Sequence, residues 1–195
     1  MTLNINNDFR SVADAEADKF DNNSRSVAVI DSEHRLTHLG MVFHASDRAS
    51  VANLASLDIL INVPAFTYPH LRKAVFNVAD SPCDILLYEG VTTSVDGTAV
   101  PVFNRNRNSA NTSVSIFTTG PTVTDLGTLI HDRYVGDQGG QGSNQIGATS
   151  AGLGEEWVGQ PSTKYLIRVT NNSGGTIVVN YELMWYEIQW QNAGK

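Results

Sequence analysis

Two long runs near the C-terminus constrain the fold most. Residues 163–171 (TKYLIRVTN) and 176–190 (TIVVNYELMWYEIQW) are rich in β-branched and aromatic residues, and the turn formers Asn171-Asn172-Ser173-Gly174-Gly175 join them. Such residues suit a pleated, half-buried surface, and a cluster of Asn, Ser and Gly between two of these runs marks a hairpin. In the second run Ile177, Val179, Tyr181, Leu183 and Trp185 share one face, as core residues would. Val178, Asn180, Glu182, Met184 and Tyr186 share the other, which suits a surface or a subunit contact.

The same texture recurs along the chain. The stretch SRSVAVIDSEHRLTHLGMVFHAS opens it, followed by LDILINVP, RKAVFNVAD, DILLYEG, TAVPVFNRN, SVSIFTTG and TLIHDRYV. Asp96-Gly97 before TAVPVFNRN reads as a hairpin turn and Gly120-Pro121 as a break. About nine strand candidates punctuated in this way have the rhythm of an antiparallel β-sandwich or jelly roll. No strand–helix alternation points to a parallel α/β sheet, and no repeat of fixed period stands out. Composition agrees: 17 Asn, 16 Ser and 16 Thr make up a quarter of the 195 residues, while charged residues are only 17%.

Domain organisation follows from where this texture begins. Residues 1–25 form a polar leader with five Asn and a net charge of −2, either an extended arm or a short helix over Ser11 to Phe20. Residues 26–195 then form a single β domain. The leader cannot bury enough surface to order by itself, so Leu3, Ile5, Phe9 and Phe20 are expected to be anchors against a partner. Trp190, beyond the last apolar run, is a fifth candidate contact, since Trp is enriched at interface hot spots.

Charge excludes one class of partner. The net charge is −7, with 13 basic residues against 20 acidic ones, and the one basic cluster, Arg105 and Arg107, is too small for a nucleic-acid backbone. No apolar signal core or run long enough for a membrane span occurs, so no membrane is expected. Cys83 is alone, which rules out an intramolecular disulfide; in SPCDILL it reads as a small buried residue at a strand start.

Catalytic patterns do not assemble. Gly140-Gln141-Gly142 begins a dinucleotide motif, but Gln145 stands where its third Gly belongs, and the glycine-rich stretch from Gly136 to Gly154 reads as a long surface loop. His34, His38 and His44 share strand parity, yet residues four apart on a strand are separated by roughly 13 Å, too far for one metal ion. Glu155 and Glu156 read as solvent-facing residues flanking the loop. The esterase elbow Gly-x-Ser-x-Gly is missing. No catalytic residue, metal or cofactor is expected.

Four segments, SEHRLTHLGMVFHAS, FNRNRNS, EEWVGQPSTKYLIRVTNNS and YELMWYE, together resemble small structural proteins of tailed bacteriophages, the head decoration or cement proteins. The likeness covers roughly residues 28–190. It implies a non-enzymatic β-sandwich knob, a homotrimer, seated on the major capsid protein at the outer surface of the virion after assembly in the host cytoplasm. Two other classes fit a β scaffold: a receptor- or glycan-binding domain of a head or tail fibre, and a small metal-dependent hydrolase using His34, His38 or His44.

Overall fold

A computed structural model describes residues 32–78, 81–136, 150–152 and 156–189. Leu3, Ile5, Phe9, Phe20 and Trp190 lie outside the described residues, as do the arm or short helix over Ser11 to Phe20 and most of the glycine-rich stretch. The chain divides between Arg35 and Leu36, and the β structure belongs to the second unit.

One helix, α1 (Ser32–His38), precedes β1 (Val42–Val51), β2 (Ser56–Asn62), β3 (Thr67–Asn77) and β4 (Cys83–Glu89). Short strands follow: β5 (Thr92–Val95), β6 (Thr98–Ala99), β7 (Phe103–Asn104), β8 (Ile116–Thr119) and β9 (Thr122–Asp125). Then come β10 (Thr128–Val135), β11 (Ser150–Gly152), β12 (Trp157–Val158), β13 (Lys164–Asn171) and β14 (Ile177–Gln189). Antiparallel pairing arranges them as one sheet in the order β11-β3-β14-β1-β7, with β12 also on β3, and a second in the order β10-β4-β13-β2-β8-β6. A two-stranded ribbon, β5-β9, pairs with neither sheet.

The architecture is thus all-β and antiparallel, as the strand texture implies. Phe43, Ala45, Phe76, Leu183 and Trp185 of the first sheet meet Ile59, Ile85, Ile167 and Val169 of the second in one buried core. The Val, Leu, Ile and Phe side chains among them contribute about 1.5–3 kcal/mol each when fully buried. A smaller cluster of Leu60, Val91 and Leu166, with Val123 and Leu126 against it, covers the other face of the second sheet. That second layer is why LDILINVP and TKYLIRVTN read as nearly continuous apolar runs: both faces of β2 and β13 are covered.

Three local expectations are corrected. The run around SEHRLTHLG is not one strand, because α1 occupies Ser32–His38 and the strand begins only at Val42. Gly40 (φ +68°) ends the helix: its N–H bonds Thr37 O at 3.0 Å and Met41 N–H bonds Leu36 O at 3.0 Å, the paired bonds of a Schellman cap. His34 and His38 therefore lie on the helix and His44 on β1, so their shared strand parity does not exist. Among the described residues, no group of three or more His, Cys, Asp or Glu is placed to hold a metal.

The C-terminal pair is not a hairpin either. β13 is central in the second sheet and β14 in the first, so residues 172–176 cross between layers. Asn171 makes that crossing by bonding across it: Nδ2 donates to Val51 O at 2.9 Å and Gly175 O at 2.7 Å, and Leu54 N–H returns to Asn171 O. The neighbouring β1–β2 connection is thereby fastened to it. Asp96-Gly97 likewise joins no hairpin, since β5 pairs with β9 and β6 with β8. Gly97 (φ +92°) lies against the Thr119–Pro121 backbone, where an added Cβ would stand 2.3 Å from Thr119 O, so both chains bend together from one sheet to the next.

Candidate docking face

The outward face of the first sheet carries two polar clusters. Its construction begins in FNRNRNS, where asparagines alternate with arginines. Asn104 is buried at the end of β7, and its Nδ2 donates to Gly40 O at 2.8 Å and Asn111 O at 3.0 Å. Its Oδ1 accepts the Asn106 N–H at 2.9 Å, closing a side-chain turn. Asn106 Nδ2 donates to His38 O at 2.9 Å, satisfying a carbonyl at the end of α1 that the helix leaves open. Asparagines at alternate positions thus fasten the loop to the helix end and leave Arg105 and Arg107 exposed.

Both arginines lie over neighbouring side chains. The Arg105 guanidinium rests against the Met184 sulfur on β14. Arg107 stands 5.5 Å from the centre of the Phe103 ring, and that ring packs at 5.9 Å on His44 of β1. His44 Nδ1 is buried there without a hydrogen-bond partner among the described residues. Phe103 remains 46% exposed and Ile116 54%, and both border a groove of about 350 Å³ also lined by Val102, Arg107 and Phe117. Exposed apolar side chains rimmed by cations are the composition of a protein-binding patch.

Across the same face lies a second cluster. β14 pairs Met184 with Lys73 and Trp185 with Leu71, so Arg72 is an extra residue in β3. This bulge turns Arg72 and Lys73 outward together while Leu71 and Ala74 stay buried. β12 places Trp157 opposite Leu71, which brings the preceding Glu156 over the bulge. One carboxylate oxygen of Glu156 accepts the Tyr186 hydroxyl and His70 Nδ1, each at 2.7 Å; the other accepts Arg72 at 2.8 Å. His70 and Tyr186 stack with ring centres 4.3 Å apart, and Lys73 pairs with Glu182 at 2.9 Å. Burial pushes the Glu156 carboxyl up, but hydrogen bonds from Tyr186, Arg72 and His70 outweigh it and hold the group at about 2. Burial, and then the Glu156 bond, push the Tyr186 phenol up to about 12.

Glu156 is exposed, as its place beside the glycine-rich stretch implies, and is also the hub of a polar network that its sequence position does not announce; Glu155 lies outside the described residues. Trp185 is wholly buried, Tyr186 belongs to the outer face and Trp157 is half-buried. Cys83 is buried at the start of β4, and burial pushes its thiol up from the ordinary value. The face offers recognition by stacking, apolar contact and charge. Comparison with known proteins finds no matching family model, no matching curated protein and no matching solved structure.

Proposed function

We propose that this chain is a non-enzymatic virion structural protein that decorates and cements the outer surface of a tailed-bacteriophage capsid, docking on the major capsid protein through the outward face of its first sheet. One observation carries this reading. Parts of all four segments that resemble decoration proteins, far apart in sequence, meet on this face, although the TKYLIRVTN part of the third forms β13 in the second sheet. Asn106 of FNRNRNS bonds His38 of the first segment, Arg105 meets Met184 of YELMWYE, and Glu156 of EEWVGQP bonds Tyr186 of YELMWYE.

The physical character of the face supports docking. Its side chains are held by strands and by asparagine bonds, so little conformational entropy is lost on binding. A protein that binds only the assembled lattice stabilises that lattice by mass action. In the same reading the subunits form a homotrimer matched to a threefold site, and Leu3, Ile5, Phe9, Phe20 and Trp190 are further contacts with the capsid.

The test is co-sedimentation of the purified chain with phage capsids stripped of their decoration protein, alongside a glycan array. Saturable binding to capsids, with a higher thermal disruption temperature of the shell, supports the proposal. Binding to glycans with none to capsids transfers the protein to the receptor-binding class.

A further inference from the structure

A second cavity opens at the side of the sandwich, remote in chemistry from the outer face. It has a volume of about 260 Å³ and lies between the two sheets, walled by Ile61, Leu71, Leu87 and Ile130 and by the rings of Trp157 and Trp185. Protein interiors are close-packed, with few voids larger than a water molecule. An engineered apolar cavity of about 150 Å³ already accepts benzene. Val158, at the rim, is 53% exposed, so the space is reached from solvent.

The polar groups of the lining are few, and nearly all are already engaged. Trp185 Nε1 donates to Glu187 at 3.1 Å, which leaves only its ring to the cavity. The Tyr165 hydroxyl accepts the Gln160 N–H and donates to Glu89 Oε2, both at 2.8 Å. Glu89 Oε1 is left with no hydrogen-bond partner among the described residues. An ionised carboxylate only accepts hydrogen bonds, so this oxygen selects a donor, and a cationic donor best. The half-buried indole of Trp157 favours a cation as well.

We propose that this cavity is a binding site for a small one-ring or branched apolar amine, its hydrocarbon part against the half-buried Trp157 and Ile130 and its ammonium on Glu89 Oε1. A ligand of this size matches the cavity volume, and an anionic counterpart is repelled by Glu89. Neither the site nor the ligand class depends on capsid docking.

The experiment titrates the isotope-labelled full chain with benzylamine, benzyl alcohol and benzoate, following the indole resonances of Trp157 and Trp185 and the amide of Gly159. Benzylamine is expected to give saturable shifts at these reporters, benzyl alcohol to bind about tenfold more weakly and benzoate to give none. Glu89→Gln keeps an acceptor for Tyr165 and should lower benzylamine affinity about tenfold while leaving benzyl alcohol unchanged. Ile130→Trp, which fills the cavity from the half-buried edge strand, should abolish both. No saturable shift with benzylamine overturns the site. Equal affinity for amine and alcohol, unaffected by Glu89→Gln, overturns the ligand class.

Discussion

Glu187 turns its carboxylate into the sandwich beside Trp185, whose indole Nε1 donates to Oε1 at 3.1 Å. The same oxygen accepts Ser113 Oγ at 2.6 Å and Ser115 N–H at 3.0 Å, and Oε2 accepts Val114 N–H at 2.9 Å. One buried carboxylate therefore holds the segment entering β8 against the central strand of the other sheet. Glu187→Gln places an NH₂ donor among these donors and is expected to cost about 1–3 kcal/mol. Equilibrium urea unfolding checks this, and an unchanged midpoint would refute the clamp.

The Glu156 network gives stability a defined pH dependence. Its folded-state value of about 2 lies below the ordinary 4.5, so its contribution is complete above 4.5 and is lost as pH falls toward 2. Tyr186 is shifted upward, from 10 to about 12, so its contribution is present below 10 and is lost as pH rises toward 12. Urea midpoints measured across pH should show the acid limb flattened in Glu156→Gln and the alkaline limb flattened in Tyr186→Phe.

The alternation in FNRNRNS separates stability from recognition. Asn104→Ala leaves the Asn111 carbonyl and the Asn106 N–H without their partner and the Gly40 carbonyl with Asn111 Nδ2 alone, and should destabilise by about 1–3 kcal/mol. Arg107→Ala removes only an exposed cation over Phe103 and should change stability by less than about 0.5 kcal/mol. Thermal melts of the two variants test this split directly.

Much of this molecule was legible in the sequence, because burial and turn chemistry are local. The core face Ile177, Val179, Tyr181, Leu183 and Trp185 follows from alternation alone, and its last four members are buried. Carrying the same parity two residues further would have flagged Glu187 as an inward carboxylate. Turn residues, in contrast, say that the chain reverses but not into which sheet. Residues 172–176 and Asp96-Gly97 look like hairpin turns yet cross layers, since what decides it is distant backbone: Val51 O, which Asn171 bonds, and Thr119, against which Gly97 lies. Gly40, two residues past His38, was a readable helix stop within an otherwise strand-like run. The Glu156 hub had no comparable signal: the bulge at Arg72 and the pairing of β12 on β3 that assemble it are long-range facts.

The most direct test of the docking account is the occupancy of stripped capsids by the triple variant Phe103→Ala, Arg105→Ala, Arg107→Ala, counted by electron microscopy beside the wild-type chain. All three side chains are exposed, so the β domain should remain folded, as circular dichroism would verify. Occupancy at a limiting concentration is expected to fall at least about tenfold, the loss of one hot-spot residue or more. A folded variant that fills the lattice as completely as the wild type would contradict docking through this face.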